Sequence, residues 1–412
     1  MDVRKTFMVV AFSCVISACS NPTKTAQVSE ALASAKCASA AAIKSKVIVE
    51  WEDDSISFEK ITDVETFKKN FIEPNIAQIK RVQFDQRVQF HPTSFSNSIA
   101  VSSAPPIADL GQKIIQLDNI DIKNIGGQGI IVGVVDAFVD VTHPQLKGQI
   151  AINAGEIPNN GIDDDNNGIV DDYLGASFIS QPSMAQVSEH GTHVSGIIAA
   201  DPNLGQVRGI APKAKIVPAQ FISNDGSGSL SDAILALEYV ASRGAKIINA
   251  SWGGAPCANA LSTEFKSLEK KGILLVVAAG NESSDLDMRP TYPASFNLSN
   301  QITVAASSEN DFMAFFSNSS FTSVHIAAPG VGILSTVPGN GTMYMDGTSM
   351  AAPFVTGAAA LIWGARPQAT AQQVKLALMN SVDVTPNHEF RVQSQGRLNV
   401  YKAYLQIKAM IP

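Results

Sequence analysis

A chain of 412 residues, 45% of them hydrophobic, has apolar material for one large domain and a smaller companion. Its formal net charge of −7 comes from acids and bases interspersed along the chain, which excludes the clustered basic face that nucleic-acid binding needs. Beyond the first twenty residues, no apolar run is long enough to cross a bilayer.

The chain opens on a leader. Arg4 and Lys5 precede a short apolar stretch at residues 7–16, too brief for a membrane span and suited to a signal peptide over residues 1–18. The run Ile16-Ser17-Ala18-Cys19 resembles a bacterial lipobox, which implies that Cys19 carries lipid and becomes the mature N-terminus. Ser20 follows it where an Asp would imply the inner membrane, so the expected place is the outer membrane, facing periplasm or cell surface. Cys14 leaves with the leader, and Cys37 and Cys257 remain. In an oxidising compartment that pair is compatible with one disulfide or with two free thiols.

Residues 19–45 read as a tether rich in Ala, Ser, Thr and Lys. Residues 46–106 form a small unit and its linker: a strand at 47–51, an amphipathic helix at 64–72, one or two strands at 76–90, then a Pro- and Ser-rich stretch. From residue 113 to 405 the pattern changes. Strand runs at 130–135, 215–219, 245–250, 273–278 and 301–305 alternate with helical stretches at 231–242, 261–271 and 349–363. That alternation predicts an α/β fold, a mainly parallel sheet with helices on both faces, and functional residues at the carboxyl ends of its strands.

Three motifs fall at such ends. Val134-Val135-Asp136 closes an apolar strand, His190-Gly191-Thr192-His193 opens a small-residue helix, and Gly347-Thr348-Ser349-Met350-Ala351-Ala352-Pro353 opens another. A serine hydroxyl is a poor nucleophile until an imidazole takes its proton, and the imidazole needs a carboxylate to fix its tautomer. The two histidines stand three apart without the Glu of a zinc helix, which argues against a metal there.

The Asp–His–Ser order and these strings resemble the subtilisin-like serine proteases over residues 113–400, and differ from the chymotrypsin and α/β-hydrolase orders. The resemblance implies peptide-bond hydrolysis through an acyl-enzyme, with Ser349 as nucleophile, His190 as base and Asp136 orienting it. It makes His193 a buried structural partner. It also implies that Asn281, in Ala278-Ala279-Gly280-Asn281, donates to the oxyanion, and that Ser251-Trp252-Gly253-Gly254 pairs with the substrate backbone. The substrates would be proteins or peptides, no cofactor is needed for the chemistry, and the unit at 46–106 is similar to part of a subtilase pro-segment.

Two places depart from the family pattern: the pair after the aspartate, and Phe354 in the serine helix, where many relatives carry His and where packing rather than chemistry is expected. Ala137 and Phe138 stand where a hydroxyl residue and Gly usually follow the aspartate, so Asp136 loses one hydrogen-bonding neighbour. That loss gives the rival reading of an impaired, peptide-binding lipoprotein. Between the Asp and His motifs, Asp163, Asp165 and Asn167 alternate, with Gly168 at the sixth place and Asp171 and Asp172 beyond. The spacing is similar to the start of a Ca²⁺ loop, although Leu174 replaces the twelfth-position Glu of an EF-hand. A structural Ca²⁺ is therefore expected beside a solvated acidic turn as its alternative.

Overall fold

The computed structural model describes residues 42–89, 110–137, 139–179, 189–223, 226–254 and 259–411. Cys19, the Cys37–Cys257 pair and Phe138 lie outside them. The expectations about lipid and disulfide therefore fall outside the described residues.

The main sheet holds β4 (Ile131–Ala137), β5 (Ala176–Ser177), β6 (Lys215–Ile222), β8 (Ile247–Ala250), β9 (Leu274–Ala278), β10 (Gln301–Ser307), β11 (Ile326–Pro329), β14 (Asp383–Val384) and β15 (Gly396–Arg397). Their order is β14-β15-β11-β10-β9-β8-β4-β6-β5, parallel throughout except for the β14–β15 pair. The α/β expectation is borne out. Period-two alternation divides the apolar residues between two faces. Val132, Val134, Leu274 and Val276 pack on one side, and Val135, Val217, Leu275 and Val277 on the other.

Six helices cover these faces: α1 (Glu189–Ala199), α2 (Leu230–Ser242), α3 (Asn259–Lys270), α4 (Thr348–Ala365), α5 (Ala371–Met379) and α6 (Val400–Met410). α4 is buried along nearly its whole length and runs through the centre of the first core. Against the expectation that no run after the leader reaches that length, it is long and apolar enough to span a bilayer; its burial inside the body makes it a core helix. The chain passes from β4 to β6 on one side and then to β8 on the other. Strand order therefore reverses at β4, and the carboxyl end at such a switch point is where open α/β sheets place their sites.

A smaller sheet precedes it. β1 (Ala42–Trp51) lies between β2 (Ile56–Lys60) and β3 (Ile79–Gln89), both antiparallel to it. β1 begins inside the stretch read as tether, because Ala42 and Ile43 still pair with Gln86 and Asp85; backbone pairing extends the strand past its apolar residues. The predicted helix at 64–72 is a short α-turn, Val64–Phe67, continued by a π-helical turn over Lys68–Ile72. Val47, Val49, Phe67, Ile72 and Ile79 make this unit's own core, while Ile48 and Val88 join the core of the main body.

The two bodies share a sheet. β7 (Ser227–Ser229), which leads into α2, pairs antiparallel with Arg87, Val88 and Gln89 of β3. The Asp85 carboxylate accepts from Ser231 N at 3.1 Å and from its hydroxyl at 2.6 Å. A carboxylate there satisfies orphan donors and suits the positive end of the α2 dipole. Glu50 Oε2 accepts from Thr263 of α3 at 2.8 Å and pairs with Arg81 at 3.2 Å.

Candidate active site

β4 carries Asp136 to its carboxyl end, where the side chain is fully buried. Its Oδ1 accepts from Ala137 N at 2.6 Å and faces His190 Nδ1 at 2.6 Å. A donor on Nδ1 fixes the tautomer that leaves Nε2 as the basic nitrogen. Ala137 thus supplies its backbone N–H where the sequence offers no hydroxyl. Asp136 Oδ2 has no partner among the described residues.

Ser349 lies in the first turn of α4, where helical N–H groups have no intrahelical acceptor. Pro353 stands four residues on and cannot donate to the Ser349 carbonyl. The Ser251 hydroxyl fills that place at 2.9 Å, and the Ser349 hydroxyl donates in return to the Ser251 carbonyl at 3.0 Å. Asn249 Nδ2 holds the Ser251 hydroxyl, and Thr356 of α4 donates to Asn249 Oδ1. The end of β8 and the start of α4 are therefore cross-linked at the serine.

β9 leads into Gly280 and Asn281. Asn281 Oδ1 accepts from Thr348 N and Thr348 Oγ1, and Thr348 Oγ1 accepts from Gly280 N at 3.1 Å. A backbone N–H can only donate, so the amide oxygen must face Thr348 and the amide nitrogen faces away. Sequence reasoning passed over Thr348 in this role, although it sits in the quoted serine motif.

Of the four residues expected along the substrate, Ser251 and Trp252 bury their side chains. Trp252 Nε1 donates to the Val135 carbonyl and its ring packs edge-on to Phe221. Gly253 and Gly254 are the more open pair, so any pairing here runs through backbone. Of the expected metal ligands, Asp165 and Asp172 come together with Glu156, with one carboxylate oxygen from each within 4.8 Å of the others. Asp163 accepts from Asn167 N and Gly168 N, and Asp171 from Asn160 N and Gly161 N. Asn167 Oδ1 accepts from Ile169 N. Glu156 was missed because it lies seven residues before the acidic run.

Residues 127–396 match the model of the subtilase family. The chain belongs to that family. It is 37% identical over 238 residues to a thermophilic serine proteinase of Bacillus sp. (strain AK1), covering 58% of this chain and 53% of the relative. It is 32% identical over 273 residues to subtilisin DY of Bacillus licheniformis, covering 66% of this chain and 90% of the relative. Subtilisin-like protease 2 of Plasmodium falciparum (isolate 3D7) is 37% identical over 246 residues, 59% of this chain but 18% of that relative. This subtilase thus spans about half the length, or less, of several relatives it matches.

Proposed function

We propose that this chain is an exported serine endopeptidase working through an acyl-enzyme, with Asp136, His190 and Ser349 as its triad. One observation carries the reading: His190 Nδ1 lies 2.6 Å from a buried Asp136 at the carboxyl end of β4, in a chain of this family. Ser349 attacks the scissile carbonyl, and His190 Nε2 takes its proton and returns it to the leaving amine. Asp136 stabilises the imidazolium, and Asn281 Nδ2 with the Ser349 backbone N–H receives the oxyanion. A fluorophosphonate probe should label wild type and fail to label Ser349→Ala. Labelling that survives the substitution would remove Ser349 from this role.

The absent hydroxyl at Ala137 favours the second reading, a peptide-binding protein that kept the cleft and lost turnover. The same probe separates the two, because a pure binder takes no label.

A Ca²⁺ held by Glu156, Asp165 and Asp172 fits the loop between the Asp and His motifs. Glu156 Oε2 is buried without a hydrogen-bond partner, and an uncompensated buried carboxylate oxygen calls for a cation. Asn153 Nδ2 donates to both Asp165 and Asp172, and Arg243 pairs with Asp172 at 3.1 Å, so part of the charge is already balanced. The ion would tie the loop together and take no part in hydrolysis.

The unit at 46–106 is assigned as a pro-segment, supported by its seat on β7 and at the start of α2. Residues 1–18 are assigned as signal peptide and Cys19 as the lipidated residue, holding the protein to the outer membrane. Metabolic labelling with an alkyne fatty acid tests this. Label on wild type and none on Cys19→Ser is expected, and an unlabelled wild-type precursor refutes it.

A further inference from the structure

The triad residues come from three arms of the chain that are far apart in sequence, and all three meet one small hairpin. β12 (Ile333–Val337) and β13 (Gly341–Met345) form an antiparallel ladder of their own, apart from the main sheet. β13 runs directly into Gly347-Thr348-Ser349, so the serine arm is continuous with it.

The histidine arm is clamped to the same ladder from the next turn of α1. His193 Nε2 lies 3.0 Å from the Ile333 carbonyl and 3.0 Å from the Met343 carbonyl. Both are acceptors, so Nε2 carries the proton, and one N–H spans both strands of the hairpin. The Ser335 hydroxyl donates to the His193 carbonyl at 2.6 Å, and the Thr336 hydroxyl donates to the Thr192 carbonyl at 2.9 Å. Gly196 permits this approach: a Cβ there would meet the Ser335 and Thr336 hydroxyl oxygens at 2.3 Å.

The aspartate arm reaches the hairpin's turn. Four residues after Asp136, Asp140 Oδ2 accepts from Gly339 N at 3.2 Å. Its Oδ1 is held by the Thr142 N–H and hydroxyl, and its own N–H donates to Thr192 Oγ1 in α1. His143 Nδ1 accepts from Gln145 N, so its Nε2–H is the donor to the Gly341 carbonyl at 3.3 Å.

We propose that the β12–β13 hairpin is a brace that sets the relative position of the three catalytic arms, with His193 and Asp140 as its positioning residues. Neither touches a reacting group. Each fixes an arm against a common body, and the Asp140 link supports the loop that lacks the usual hydroxyl after Asp136. His193 is buried deeply enough that its pKa falls to about 3, chiefly by desolvation, so the neutral donor form is kept at working pH. The inference rests on the triad assigned under the proposed function.

The test uses the full chain with His193→Ala, Asp140→Ala and both together. Displacing a catalytic group by an ångström costs up to about 10²-fold in rate, so each single change should lower kcat about 10- to 10²-fold with KM within about two-fold. The double variant should lose less than the product, because both act through one hairpin. His193→Gln, which keeps a side-chain N–H, should recover part of the loss. Folded single variants with wild-type kcat, or losses confined to KM, would overturn the proposal. If His193→Ala fails to fold, Ser335→Ala and Thr336→Val each remove one clamp and take its place. A second readout needs no turnover: the downfield proton resonance of the His190 Nδ1–H bound to Asp136, recorded in a Ser349→Ala background. The brace requires that line to move or broaden in His193→Ala and Asp140→Ala. Its persistence unchanged refutes the brace, whereas an inactive wild type whose line responds refutes the enzymatic reading alone.

Discussion

Asn281 Oδ1 accepts both the backbone N–H and the hydroxyl of Thr348, each at 2.9 Å. The asparagine side chain is thereby held with its NH₂ turned away from Thr348, the orientation that the proposed oxyanion role requires. Asn281→Ala should lower kcat about 10²–10³-fold with little change in KM, a range that itself comes from a subtilisin. Thr348→Val keeps the backbone donor and removes the hydroxyl. It should cost about ten-fold at most, the equivalent of one ordinary hydrogen bond. An effect on KM alone in either variant would place Asn281 in ground-state binding instead.

Ala137 holds Asp136 by its backbone, and its side chain is buried. Ala137→Ser adds one hydroxyl beside the carboxylate at little extra volume. A typical hydrogen bond of about 1 kcal/mol bounds the gain in kcat at about five-fold. A fall in kcat would mean that the aspartate is already optimally held.

The carboxylates around Asn153 predict a cation-dependent melting point. EDTA should lower the Tm of wild type, since a ligand bound only to the folded state stabilises it by mass action. Glu156→Gln and Asp165→Asn should abolish the response, while Asp171→Asn, whose carboxylate serves Asn160 and Gly161, should keep it. Equal melting of wild type with and without EDTA leaves a solvated loop.

Glu264 in α3 is buried, and desolvation, with Glu238 adding to it, pushes its pKa up to about 8. The folded state keeps this proton while the unfolded chain releases it above about pH 4.5. Unfolding therefore releases a proton between about pH 4.5 and 8, and stability falls as pH rises through that window. Glu264→Gln is neutral at every pH, so its Tm should gain on wild type from about pH 5 to about pH 8. A difference between the two that does not change with pH would show that Glu264 is ionised in the folded protein.

Much of this architecture is legible in the sequence because it is written in short-range patterns. β4, β6, β8, β9 and β10 are predominantly apolar, as strands covered on both faces must be. The proposed triad could be read from the sequence because each member sits in a string with its own local chemistry. What escaped are contacts between segments far apart. Nothing near His193 announces that its partners are Ile333 and Met343, 140 and 150 residues away. Nothing in Glu156 marks it as facing Asp165 and Asp172 rather than solvent. β1 begins early for the same reason: its first residues are strand because β3 lies beside them, and hydropathy does not register a neighbour.

The pairing of β7 with β3 has a consequence for the body without its N-terminal unit. Three residues of β7, Ser227 to Ser229, have their ladder filled by Arg87 to Gln89. If the unit departs, that row of N–H and C=O groups becomes an unpaired strand edge, and such an edge accepts any extended chain that reaches it. Ile48 and Val88 would leave the core at the same moment and uncover apolar surface beside it. Shedding the unit would therefore turn a self-contained molecule into an adhesive one, whose tendency to associate with its own copies rises with concentration until another peptide occupies the edge.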